Sequence, residues 1–237
     1  MIKQKIGSWL QLGSIKVFEI LQKYNFDFHV IDLEHGSHNN LEIFPSANKT
    51  KKKLFVRVSC RDSKFYSWLL DLGYDGIILS DVRSKDEIDS LISGSFFRPI
   101  GSRGVGYCPK NNFGKDMESF LKNKMKPIIG IQIESLEGLS VLENYSNKYK
   151  NTIDFYMLGP YDISSSIGKP GEFDSLEYLK VVERFNKIIK KNDLQKGTHV
   201  VNTSQKDLQK AKSEKYNYIA FSTDGKILID SLENIDL

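Results

Sequence analysis

The sequence predicts an α/β protein, most economically a closed (β/α)8 barrel, and three features of its patterning predict it. Eight short apolar runs alternate from end to end with longer amphipathic stretches, as in a parallel sheet whose crossovers are helical. No Gly-x-Gly-x-x-Gly follows an early run, which counts against an open doubly wound sheet. Polar residues collect just after the runs, and in a barrel the strand ends converge on one face.

The first run, Ile6–Leu12, leads into Ile15–Tyr24, which Ser14 opens with a hydroxyl suited to a helix N-cap. The second, Phe28–Asp32, passes into Leu33-Glu34-His35-Gly36. The third, Leu54–Val58, has Arg57 embedded in it, and Ser63–Leu72 follows with helical spacing. The fourth is Gly76–Leu79; after it, Ser84 with Glu87 three residues on forms a capping box for Lys85–Ser93. From Phe97 to Lys126 the chain carries Gly101, Gly104, Gly106, Pro109, Asn111, Asn112 and Gly114, a Gly-rich, turn-rich insertion before the fifth strand. Loops of this length in compact domains are usually functional or interfacial. Pro127–Ile133 and Asp154–Leu158, rich in Ile and aromatics and bounded by Pro and Gly, read as buried strands. Ser175–Lys191 is amphipathic, Gly197–Val201 is the seventh strand, Ser204 opens Ser204–Lys212, and Tyr218–Phe221 is the eighth strand. No linker or low-complexity segment divides the chain, so residues 1–237 are expected to form a single barrel domain with its insertion at 97–126.

Hydrophobic residues make up 40% and charged residues 27%, ordinary for a soluble globular protein. The net charge of +4 is slight, and lysine-rich stretches such as 49–53 and 187–191 lack the interleaved aromatics of a nucleic-acid groove. No run approaches the roughly 18 apolar residues of a membrane span. Residues 1–7 hold no apolar signal core, so a cytoplasmic protein with neither membrane nor nucleic-acid partner is expected. Cys60 and Cys108 are far apart without metal-ligand spacing and read as reduced thiols.

The chemistry-bearing residues sit at the ends of the runs. Glu134 follows the fifth and Asp162 the sixth. Carboxylates after two neighbouring barrel strands can hold a divalent cation, and two hard oxygen ligands plus water suit magnesium or manganese better than zinc; a pair engaged in salt bridges is the alternative. Arg57, between apolar neighbours, needs an anion, either a buried acid or a substrate carboxylate, because burying a guanidinium is costly. His35, three residues after Asp32, is an oriented base or a structural histidine; Glu34 beside it is supporting or structural. Gly159-Pro160-Tyr161-Asp162, followed by Ser164, Ser165, Ser166 and Gly168, is a carboxylate-binding segment or a capped turn. His29 lies inside a strand and reads as core; His38 has a weak claim, and His199, near a strand end, can reach the pocket. Trp9 is packing or a wall of the site.

Ile31-Asp32-Leu33-Glu34-His35-Gly36, Val56-Arg57-Val58, Gly101-Ser102-Arg103-Gly104-Val105-Gly106, Gln132-Ile133-Glu134 and Gly159-Pro160-Tyr161-Asp162-Ile163-Ser164 occur in this order. In order and spacing they resemble the HpcH/HpaI aldolase family, the metal-dependent class II pyruvate aldolases typified by 2,4-dihydroxyhept-2-ene-1,7-dioate aldolase. Each motif alone is weak; together they are specific, and the resemblance runs from Gly7 to about Asp224.

The resemblance implies a TIM barrel of the phosphoenolpyruvate/pyruvate-binding type and a carbon–carbon lyase that joins or separates pyruvate and an aldehyde. By position, Glu134 and Asp162 would hold Mg2+ or Mn2+, with Co2+ also suited. Arg57 would bind the pyruvate carboxylate, His35 oriented by Asp32 would be the general base, and Gln132 and Ser164 would help place the substrate. Members assemble as hexamers with the last helix swapped, so a homo-oligomer is expected, with the region around Arg103 contributing to a neighbouring site. The chain departs from the family pattern at Leu79-Ser80-Asp81-Val82, where relatives carry a Val-Pro-Met-Val-like stretch, and at Pro109-Lys110, where they often carry Arg-Ala. A lyase acting on a coenzyme A thioester and a non-catalytic metal-binding scaffold are the alternatives.

Overall fold

The computed structural model describes residues 4–37, 41–59, 61–122 and 126–235; His38 and Cys60 lie outside them. Eight parallel strands close a barrel in chain order, with the last bonded back to the first. They are β1 (Lys5–Leu10), β2 (Phe28–Asp32), β3 (Lys53–Val58), β4 (Gly76–Leu79), β5 (Ile128–Ile133), β6 (Phe155–Leu158), β7 (Lys196–Val200) and β8 (Tyr218–Phe221). Each agrees with its predicted run to within two residues. β1 stops at Leu10 because the Asp224 carboxylate captures the next two N–H groups, Gln11 at 2.8 Å and Leu12 at 3.2 Å.

Helices form the outer ring: α1 (Ile15–Leu21), α2 (Ile43–Ala47), α3 (Ser63–Leu72), α4 (Lys85–Ser95), α5 (Met117–Lys122), α6 (Leu136–Tyr149), α7 (Pro160–Ser166), α8 (Leu176–Lys191), α9 (Gln205–Ser213) and α10 (Asp224–Glu233). The predicted entry signals are used. Ser14 accepts from Val17 N–H, Ser204 from Asp207 N–H, and the Glu87 carboxylate accepts from Ser84 N–H at 2.9 Å, each satisfying a donor that the first turn leaves free. Helices α2, α5, α6, α7 and α10 lie beyond the stretches that the periodicity singles out. Among the described residues no helix is long and apolar enough to cross a membrane.

The period of two along each strand divides the core. Ile31, Val56, Ile77, Leu79, Ile129 and Ile131 face outward against the helices. Phe28, Val30, Phe55, Ile78, Phe155, Met157, Tyr218 and Trp9 fill the barrel interior. Gly7 makes room there, since a Cβ on it would lie 2.2 Å from the Phe28 ring. The same alternation carries Asp32, Arg57 and Gln132 inward at the C-terminal ends of their strands, where the large apolar side chains stop.

The insertion leaves α4 and runs along α3 to the N-terminal ends of β4 and β5, so it borders the barrel floor. It contains a 3-10 turn, Pro109–Gly114, and α5. Arg103 is 8% exposed, and its Nη2 donates to Asp71 on α3 at 2.6 Å. The Arg103 charge is thus matched within its own chain.

Candidate active site

Asp32 and Arg57 are register partners on β2 and β3. Arg57 Nε donates to Asp32 Oδ1 at 2.9 Å and Nη2 donates to Oδ2 at 2.5 Å. Arg57 Nη1 lies 2.8 Å from Glu34 Oε2. A guanidinium has five N–H donors, and the two bonded to Asp32 leave donors on Nη1 and Nη2 that can meet an anion entering the mouth. The Asp32 carboxylate is engaged on every side: Trp9 Nε1 and Gln11 Nε2 donate to Oδ2, both at 3.0 Å, and the backbone N–H groups of Glu34 and His35 donate to Oδ1. Burial pushes its pKa up, but the bonds and charge of Arg57, with those of Trp9 and Gln11, prevail and hold it at about 2. Burial likewise works against the Arg57 cation, and Asp32, Glu34 and Glu134 overcome it, leaving its pKa raised.

This network corrects one expected relation. Asp32 bonds the backbone N–H of His35 and not its ring, whose Nε2 lies 4.0 Å from Glu34 Oε2; the side chain is 61% exposed at the rim. Among the described residues the carboxylate within 4.0 Å of the imidazole is that of Glu34, whose Oε1 in turn accepts from Ser80 Oγ at 2.6 Å.

Glu134, just past β5, is buried beside this group. Gln132 Nε2 donates to its Oε1 at 2.8 Å, and the Asp81 N–H donates to its Oε2 at 2.6 Å. Asp81 makes that bond from a left-handed backbone, φ 47°, a conformation that strains a non-glycine residue. Burial first, then repulsion from Glu34 and Asp162, pushes the Glu134 pKa to about 8 against the opposing pull of the Asp81 N–H and Arg57. Gly159 leaves space for it: a Cβ there would lie 2.6 Å from Glu134 Cγ.

Asp162 stands exposed in the first turn of α7. Thus Asp32, Glu34 and Glu134 act on one guanidinium, Asp162 acts on Glu134, and among the described residues Gln132 Oε1 is buried without a hydrogen-bond partner. A site with excess carboxylates and an orphaned oxygen acceptor fits a divalent cation that takes hard oxygen donors. Among the described residues no three His, Cys, Asp or Glu side chains converge to hold a metal ion, so Glu134 and Asp162 would leave positions for water and substrate oxygens.

Ser164 does not join the site. It is fully buried, its Oγ donates to the Tyr161 carbonyl at 2.8 Å, and it accepts from Gly171 N–H at 3.0 Å. Its hydroxyl fastens α7 to the following turn, which corrects its assignment to substrate binding. His199 stacks on Trp9 with ring centroids 4.6 Å apart, and Trp9 in turn faces the Arg57 guanidinium at 5.0 Å. Burial lowers the His199 pKa to about 4 despite its bond to the Ser222 carbonyl, so the ring is neutral in this stack. His29 lies outside the barrel wall, bonded to Ser8 Oγ at 2.7 Å and edge-on to Phe18.

Gln11 is a participant that sequence reasoning missed; Ser80 and Asp81 were singled out as a departure from the family pattern, but not as the donors to Glu34 and Glu134 that they are. Gln11 was within reach, since it continues the inward series Gly7, Trp9 by the period of two. The Asp81 donor depends on a local backbone conformation and left no pattern to read.

A sequence model of the HpcH/HpaI aldolase/citrate lyase family matches residues 5–231. A 5-keto-4-deoxy-D-glucarate aldolase of Shigella sonnei (strain Ss046) is 26% identical over 188 residues, covering 77% of this chain and 73% of that protein. Among solved structures, an HpcH/HpaI aldolase/citrate lyase family protein of Burkholderia cenocepacia J2315 superposes with a TM-score of 0.87 at 22% identity, covering 98% of this chain and 92% of that one. An HpcH/HpaI aldolase of Desulfitobacterium hafniense DCB-2 superposes with a TM-score of 0.84 at 18% identity, covering 99% and 94%.

Proposed function

The chain belongs to the HpcH/HpaI aldolase/citrate lyase family, and from that premise we propose that it is a divalent-metal-dependent pyruvate aldolase, cleaving or forming a 4-hydroxy-2-oxo acid. The observation that carries this reading is the meeting, at one barrel mouth, of a guanidinium with free donors and a buried carboxyl driven to a pKa of about 8. The aldolase activity named for the Shigella relative supports aldol chemistry over thioester chemistry.

Glu134 and Asp162 would hold the cation, which when bound supplies Lewis-acid polarisation of the substrate keto group. Arg57, fixed by Asp32 and Glu34, receives the substrate carboxylate on its remaining N–H groups and steadies negative charge as it moves onto the keto oxygen during C3–C4 cleavage. Because Asp32 stays ionised and locked, Arg57 is pre-positioned and does not reorganise as that charge develops. His35 at the rim accepts the C4 hydroxyl proton, directly or through water, as the C3–C4 bond breaks and the aldehyde forms, and C3 of the remaining enolate then takes up a proton to give pyruvate. Gln132 holds Glu134 and keeps one oxygen free toward the site. The exposed apolar residues Leu228, Ile229 and Leu232 on α10 support self-association of copies, and the family resemblance favours a hexamer.

Oxaloacetate decarboxylation tests this reading without requiring the right aldehyde. Pyruvate release should depend on added Mg2+, Mn2+ or Co2+, exceed the metal-only control and disappear in Arg57→Ala. No release with any of the three metals would overturn it.

A further inference from the structure

At the opposite end of the barrel, the start of β3, the entries to β4 and β5, and the insertion enclose a cavity of about 80 Å³. A buried water needs roughly 10–15 Å³ on this measure, so several waters, or the five heavy atoms of one tetrahedral oxyanion, fit inside. Its walls include Lys53, Tyr74, Asp75, Arg103, Lys110 and Lys126.

The charges here do not cancel. Lys53 and Lys110 share a single oxygen of Asp75, Oδ1, at 3.4 and 2.9 Å. The other oxygen, Oδ2, accepts the Leu54 N–H at 3.0 Å. Arg103 is matched by Asp71 and Lys126 by Asp154 at 3.2 Å. Among the described residues one positive charge therefore remains beside the cavity. Among the described residues Arg103 Nε has no hydrogen-bond partner, and the side chain is only 4% exposed. A buried N–H that lacks an acceptor is costly, and an anion oxygen in the cavity would supply one.

We propose that this floor cavity binds a tetrahedral oxyanion of phosphate type, held by Lys110, Lys53 and the Nε–H of Arg103. The bound anion ties the insertion to the N-terminal ends of β3 and β4 and stabilises the barrel from the end away from its chemistry. The site is independent of the reaction at the mouth. Free phosphate and a phosphate monoester offer the same chemistry to these donors.

Thermal unfolding of the full chain, titrated with inorganic phosphate at constant ionic strength in metal-free buffer, reads the site. The expected result is a saturable rise in Tm of roughly 3–8 °C, absent with chloride and cut to less than a third in both Lys110→Ala and Lys53→Ala. Glycerol 3-phosphate distinguishes the sources: an equal, Lys110-dependent rise makes an ester the ligand, and no rise assigns the site to the free ion. If either variant fails to fold, phosphorus-31 line broadening on the wild type and the remaining variant replaces the melting curve. A rise of equal size in Lys110→Ala, or one that never saturates, would overturn the proposal and leave an adventitious ion only.

Discussion

Arg57 and Asp32 face each other across neighbouring strands and join through two parallel hydrogen bonds, at 2.9 and 2.5 Å, with both side chains almost fully buried. The fork fixes the guanidinium plane, Trp9 covers its face, and Glu34 takes Nη1. What remains of Arg57's donor capacity is therefore aimed by residues that do not themselves react.

Removing the arginine leaves buried carboxylates without a counter-charge. Arg57→Ala should cost about 3–5 kcal/mol of stability and reduce pyruvate-forming turnover by roughly a hundredfold or more, read by denaturant unfolding and steady-state kinetics. Arg57→Lys keeps the charge but not the fork; it should regain part of the stability while turnover stays at least about tenfold down. Full activity in either variant would remove Arg57 from the chemistry.

Asp32 sets the acid limb of stability. Its pKa is held at about 2 in the fold against an ordinary value of 3.8. A depressed carboxyl contributes stability that is complete above its unfolded pKa and is lost as pH falls toward the folded one. The contribution is roughly 2 kcal/mol, disappearing between about pH 4 and 2. Asp32→Asn should be less stable at neutral pH and show a flatter loss over that window, measured by urea unfolding at successive pH values.

Glu134 is predominantly protonated at pH 7 in the metal-free protein, because its pKa stands at about 8. Binding of Mn2+ at Glu134 and Asp162 should thus release close to one proton, visible in calorimetry as a dependence of the measured heat on buffer ionisation enthalpy. Affinity should increase as pH rises from about 6 to 8. Glu134→Gln should abolish both effects; metal binding unaccompanied by proton release would put the cation elsewhere.

Gly159→Ala probes the space that Glu134 needs. The new methyl group would lie 2.6 Å from Cγ and 2.7 Å from Oε1 of Glu134, and 3.1 Å from Gln132 Nε2. Overpacking of this kind costs about 1–3 kcal/mol. The displaced carboxylate should weaken Mn2+ binding about tenfold or more, measurable by titration against the wild type.

His35 separates two reactions. Its side chain is exposed, so His35→Ala should change stability by no more than about 0.5 kcal/mol. Oxaloacetate decarboxylation needs no C4 hydroxyl proton and should persist, while cleavage of a 4-hydroxy-2-oxo acid should fall by about a hundredfold or more. Equal loss of both reactions would assign His35 to substrate binding.

Much of this architecture was legible in the chain. Strands such as Phe28–Asp32 and Gly76–Leu79 end where their apolar runs end, because burial on both faces leaves no alternative to a continuous hydrophobic run. Asp32, Arg57, Gln132 and Glu134 could be placed at one mouth from strand polarity and the alternation of side chains. Helix α6 was not legible: Leu139, Val141, Leu142 and Tyr149 are buried, but Glu143, Asn144, Ser146, Asn147 and Lys148 between Leu142 and Tyr149 blunt the periodicity.

Order along the chain and a period of two determined the barrel and the end at which polar residues meet, since both follow from local sterics and the burial of apolar surface. Only the tertiary structure decided which polar group serves which neighbour. Ser164 has the same hydroxyl as Ser80, yet one closes a turn and the other holds Glu34. Asp32 is joined to Arg57 and not to the His35 ring. Hydrogen bonds and ion pairs act over about 3 Å, and that scale is settled by backbone placement across strands distant in sequence, which a linear pattern does not encode.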